Sequence, residues 1–146
     1  MSSYAEVVNG IVDVIGGISG GGLVRSRVPF DGSVDLPDVD GWFHVTIEGG
    51  QSVSGAPTGD NHGITEHAVT VSFIQRYSPN APNTGQDTAL NRIEGIRNNL
   101  DSPTALDEFD AYAEFVDFTI DRSSYPRHLV VTVGFAVRHS QLREDS

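Results

Sequence analysis

The chain has 146 residues, twenty Asp and Glu against nine basic residues, and a formal net charge of −11. All nine basic residues are arginine and cysteine is absent, so disulfides, thiolate chemistry and sulfur-ligated zinc are excluded. A length of this order suits one domain with its own core, and the negative charge repels nucleic acid and anionic membrane surfaces.

Ser3-Tyr4-Ala5-Glu6 has the spacing of a capping box, in which a hydroxyl and a carboxylate satisfy the free amide hydrogens of a helix start. Behind it Tyr4, Val7, Val8, Ile11, Val14, Ile15 and Ile18 recur at helical spacing and form one apolar stripe suited to packing on a sheet. Asp13 inside that helix, with no basic run ahead of it, argues against a secretory signal. No segment approaches the ~20 apolar residues of a membrane span. Glycines at 16, 17 and 20–22 end the helix.

Leu23 to Val28 alternates as a strand, with Arg25 and Arg27 on one face. Residues 29–41 read as an acidic loop. Trp42 to Ile47 is a second strand, with Phe43, Val45 and Ile47 facing one way and Trp42, His44 and Thr46 the other. Residues 48–63 are rich in Gly, Ser, Pro and Asn and read as a long connection, either a functional arm or a mobile loop. From Ile64 to Tyr77 a long strand points Val69, Val71, Phe73 and Tyr77 inward and Glu66, Thr70, Ser72 and Arg76 outward.

Pro79 and Pro82 break that strand, and Thr84 or Asp87 then caps a helix whose Ala89, Leu90, Ile93, Ile96 and Leu100 face the core. Residues 104–112 fit one helical turn and an acidic loop. Glu114, Val116, Phe118 and Ile120 start a fourth strand's alternation, and Leu129, Val131, Val133, Phe135 and Val137 give a fifth. Turn chemistry at 122–127 predicts an antiparallel hairpin, and a polar tail follows from about residue 139. The expected fold is a single α+β domain over 1–146: a mainly antiparallel sheet with two packed helices, in the order α-β-β-β-α-β-β.

The chemistry-bearing residues do not converge. Asp60, His62, Glu66 and His67 are good ligand types for a divalent ion, but Glu66 and His67 are neighbours on a strand and point to opposite faces. His128 and His139 have no Ser or Cys partner in a triad arrangement. Gly20-Gly21-Gly22 precedes a strand, whereas a phosphate cradle precedes a helix. The Asp31, Asp35, Asp38 and Asp40 run lacks the ligand order of a calcium loop. The expectation is therefore no enzyme and no catalytic, cofactor-binding or metal residues.

The opening helix Tyr4 to Ile18, the strand His67 to Tyr77 leading through Pro79 and Pro82 into helix Thr88 to Leu100, and the closing pair Ala113–Ile120 and Leu129–His139 carry a resemblance. In length, element order and long early loops the chain resembles the tail-terminator (tail-completion) proteins of long-tailed bacteriophages and related viruses. That family has no diagnostic motif, so no individual functional residue is carried over. The resemblance implies a virion protein assembled in the host cytoplasm. It forms a ring, typically hexameric, on the tail tube, ends tube polymerisation and offers the surface to which the filled head docks.

Its implied partners are further copies of itself, the tail-tube protein and a head–tail connector or head-completion protein. DNA passes through the lumen without specific binding, and no membrane is involved. Arg25, Arg27, Trp42, His44 and Arg76 are the candidate assembly interface. Gly49, Gly50, Gly55, Gly59 and Gly63 mark the candidate mobile arm. The alternatives are a head-completion or head–tail adaptor protein and, from another class, a small α+β enzyme or ligand-binding protein, which needs a concave apolar pocket with convergent polar groups.

Overall fold

The computed structural model describes residues 3–18, 22–25, 40–52, 62–76, 82–121 and 128–142. Helix α1 (Tyr4–Gly16) is followed by β1 (Val24–Arg25), β2 (Trp42–Ser52), β3 (His62–Arg76), helix α2 (Pro82–Leu100), a short 3-10 turn at Asp107–Phe109, β4 (Ala111–Asp121) and β5 (His128–Leu142). The expected α-β-β-β-α-β-β order is the observed one. The strands form one sheet in the order β1-β2-β3-β5-β4. All neighbours are antiparallel except β1 and β2, which run parallel.

Both ends of the capping box are closed: the Glu6 amide donates to Ser3 Oγ and the Ser3 amide to Glu6 Oε1, each at 3.2 Å. Helix α1 then buries Val7, Ile11 and Ile15, and α2 buries Ala89, Ile93, Ile96 and Leu100. These meet Phe43 and Val45 of β2, Val69, Val71 and Phe73 of β3, and the alternating set Leu129 to Val137 of β5 in one cluster. Phe43, Phe73 and Phe135 are essentially fully buried, each contributing on the order of 2–3 kcal/mol of transfer free energy.

Several boundaries differ from the sequence reading. Helix α2 begins at Pro82, ahead of Thr84 and Asp87, because proline lacks only an N–H that a first helical turn leaves unpaired in any case. The long connection shortens, since β2 continues to Ser52 and β3 begins at His62. Gly49 and Gly50 pair with Ala68 and His67, and Gly63 pairs with Gln141. Backbone hydrogen bonds make these pairs without apolar side chains. Similarly, β5 runs to Leu142 rather than fraying from about 139. Arg27, Tyr77, Gly55, Gly59, most of the acidic 29–41 loop and the 122–127 turn lie outside the described residues.

The fourth strand carries a break that simple alternation hides. Its register shifts between Phe115 and Asp117, so Val116 is the extra residue of a β-bulge. Before it the odd positions face the helices, with Ala111 and Ala113 buried. After it Phe118 pairs with Val133 and Ile120 with Val131, so the even positions do. Glu114 and Val116 therefore do not belong to the inward set. Asp101, just past α2, holds the bulge in place: its carboxylate accepts from the Phe115 amide at 3.0 Å and from the Tyr112 hydroxyl at 3.3 Å.

A polar clamp joins three elements at the other end of the sheet. Arg92 of α2 donates to both carboxylate oxygens of Asp40 at 3.0 Å and to Gln75 Oε1 at 2.7 Å. Asp40 also accepts from the Arg76 amide at 2.9 Å. These donors outweigh the desolvation that opposes them and hold the Asp40 carboxyl below its usual range. Gly41 follows directly. Its amide donates to Ile74, its carbonyl accepts from Val24, and its φ is +86°.

A Cβ on Gly41 would lie 2.1 Å from the Gly22 carbonyl oxygen, and that backbone atom cannot swing away. Gly41→Ala is expected to cost on the order of 3 kcal/mol, combining left-handed strain with a collision. Gly16→Ala meets nothing within 4 Å and is expected to be neutral or stabilising by up to about 1 kcal/mol. Urea denaturation of the two variants checks both.

Candidate functional site

The four candidate interface residues that are described, Arg25, Trp42, His44 and Arg76, do not form one patch. Arg25 pairs with Phe43, and like Leu23 it lies on the helix side of the sheet, exposed at its edge. Trp42 and His44 lie on the opposite, outer face and are half-buried. Arg76 is exposed at the end of β3, where its amide is held by Asp40. Among the described residues, β4 exposes Val116, Phe118 and Tyr112 to 59%, 43% and 42%, and Val24 of β1 and Ile64 of β3 are also exposed.

The outer face of the sheet is a shallow open trough of about 460 Å³, floored by Ala68, Gly134 and Ala136 and bordered by Glu66 and Asp117. Glu66 is engaged by Arg138 across the β3–β5 pair at 2.6 Å. Among the described residues, the other polar side chain on its outer face is that of Thr70.

Polar groups do gather on the other face, under the first turn of α1. His67 of β3 and His139 of β5 are each 1% exposed, and with Tyr4 they form a triangle of edge-to-face rings with centroids 5.1–5.3 Å apart. Thr65 pairs directly with His139, and its Oγ1 lies 3.4 Å from His139 Nδ1. Among the described residues, neither ring nitrogen of His67 has a hydrogen-bond partner, and nor does Nε2 of His139. Burial, reinforced by the adjacent His139, lowers the His67 pKa to about 4, and burial lowers that of His139.

Glu66 and His67 do point to opposite faces, as the strand alternation requires. The partner of His67 is instead His139, which the sequence reading assigned to a polar tail. Extending the inward set Leu129 to Val137 by one more alternation would have placed His139 beside the core. Tyr4 was legible only as the first residue of the α1 stripe. Among the described residues, no group of three His, Asp or Glu side chains is close enough to hold a metal ion, and no helix is long and apolar enough to cross a membrane. The chain matches no protein-family model and no curated protein sequence.

The two histidines set a pH dependence with a definite sign. Their folded pKa values lie below the unfolded value near 6.5, so on acidification the unfolded chain takes up protons first. The contribution of His67 is fully present above about pH 6.5 and is lost as pH falls toward 4, and that of His139 is lost in the same direction. For His67 the loss is expected to reach on the order of 3 kcal/mol. Urea midpoints between pH 7.5 and 4.5 should fall steeply in the wild type and less steeply in His67→Phe, since carboxylates titrate equally in both.

Proposed function

We propose that this protein is a structural ring component of a virion, a tail terminator that caps the tail tube and receives the head. The observation that carries the reading is the α-β-β-β-α-β-β order on a five-stranded sheet, the arrangement on which the likeness to tail terminators rests. The two outer strands add support. The β4 edge exposes Val116 and Phe118 and carries Glu114 and Asp117, whereas the β1 edge exposes Val24 and Arg25. Edges of opposite charge, each with exposed apolar surface, suit head-to-tail contacts between copies, and such contacts make a ring when the rotation between copies closes.

The acidic surface fits a conduit as well. With a net charge of −11 and no lysine, a lumen built from this chain passes DNA without gripping its phosphates. Tail terminator and head-completion protein differ by position in the particle.

Sedimentation velocity at rising concentration, alone and with the tail-tube protein encoded by a neighbouring reading frame, tests the assembly. A ring-sized species is expected, at the latest with the tube protein present. A chain that stays monomeric in that mixture rules the reading out. In a gel-shift assay at physiological salt, the free protein is expected to leave duplex DNA unretarded, and retention would overturn the conduit argument.

A further inference from the structure

Among the described residues, the rings beneath α1 bring together two ionisable groups without a countercharge. His67 and His139 are diagonal neighbours across the β3–β5 pair, because His67 pairs with Val137 and His139 with Thr65. Their centroids lie 5.1 Å apart. From α1 the pair meets Tyr4, while the Glu6 carboxylate is turned to the Ser3 amide. From β2 it meets Gly50, which brings no side chain. Glu66 of β3 and Arg138 of β5 pair with each other on the outer face. On β4 the residue that pairs with His139 is Ala111, with Asp110 just ahead of it. Burial and the neighbouring imidazole lower the His67 pKa and burial lowers that of His139, with no carboxylate among the causes.

Helix α1 is held at two separate places. Ahead of Gly10 it is fixed by Tyr4 against the imidazoles and by the buried Val7. Beyond Gly10, Ile11 and Ile15 are fully buried. The Phe109 ring packs against Gly10 itself, so closely that a Cβ there would collide with it. Glycine is a poor helix former, so the helix bends most easily between its two points of attachment. The attachment through Tyr4 rests on a ring that is 36% exposed.

We propose that His67 and His139 form an acid-operated latch: Tyr4 closes over the neutral imidazoles, and their protonation releases the part of α1 ahead of Gly10 while the rest of the helix stays on the sheet. Protonation turns every ring nitrogen of the pair into a donor. Among the described residues, the Thr65 hydroxyl is the one side-chain group at hydrogen-bond distance from either ring. Two imidazolium rings at this separation also repel each other, and burial strengthens the repulsion. Lifting Tyr4 admits water to both rings, and rings in water bind protons near pH 6.5, more readily than the closed pair does. Acid therefore drives the opening, and neutral pH reverses it. The latch acts within one chain and does not depend on ring assembly.

Residue-resolved hydrogen exchange of the full chain at pH 7.5 and 5.2, corrected for the intrinsic exchange rate, tests the latch. Protection of the Val7, Val8, Asn9 and Gly10 amides is expected to fall about tenfold or more at the lower pH. The amides of Val14 to Gly16 and of α2 are expected to keep theirs within about twofold. The double variant His67→Phe/His139→Phe is expected to show no such fall. Wild-type protection that ignores pH would overturn the latch. So would a loss that α1 and α2 share, which is global unfolding, or a fall that persists in the double variant. If that variant does not fold, a proton-resonance titration of the wild type decides. The Tyr4 ring signals must then shift with the midpoint of His67 or His139, and Tyr4 shifts with any other midpoint, or none, refute the proposal.

Discussion

The unbroken pairing of β3 with β5 is the constraint on which the rest of the structure depends. Fifteen consecutive residues, His62–Arg76 against His128–Leu142, pair without a bulge. Because side chains alternate with a period of two, this register alone decides which residues meet the helices. It sends Val69, Val71, Phe73, Val131, Val133 and Phe135 inward and leaves Glu66 and Arg138 to pair on the outer face. The outer strands accommodate irregularity that the central pair does not tolerate. Both β2 and β4 carry a register shift against their neighbours.

Much of this was legible in the sequence because hydrophobic periodicity is a direct record of burial. The α1 stripe, the α2 stripe and the inward sets of β3 and β5 all follow from it. What escaped was structure held by backbone groups. Gly49, Gly50 and Gly63 are polar-looking positions that pair through their amides and carbonyls, so composition marked them as loop. The bulge at Val116 escaped for a related reason, since one extra residue inverts the alternation and an even-numbered pattern after it masks the odd-numbered pattern before it. The Asp40–Arg92–Gln75 clamp joins residues distant in sequence, and no local spacing announces it.

The site followed the same division. Alternation correctly separated Glu66 from His67, which lie on opposite faces of β3. It also implied an inward His139, but the polar residues after Val137 obscured the continuation of β5. The pairing of the two imidazoles is a property of register between strands, and it becomes visible only when β3 and β5 are laid side by side. The candidate interface divided likewise: Arg25 and Trp42 are near in the sheet but lie on opposite faces of it.

The position of β5 also shapes the route by which the fold is reached. It is the last strand in the chain, yet it sits between β3 and β4 and bridges them. Until residues 128–142 have been synthesised and have left the ribosome, β3 and β4 have no common neighbour, and α1 and α2 have only half a sheet to cover. The nascent chain must therefore hold the apolar faces of two helices and four strands without the strand that joins them. Such long-range closure slows folding and prolongs exposure to aggregation. The surplus of negative charge, which builds up from Asp31 onward, keeps waiting chains apart during that interval.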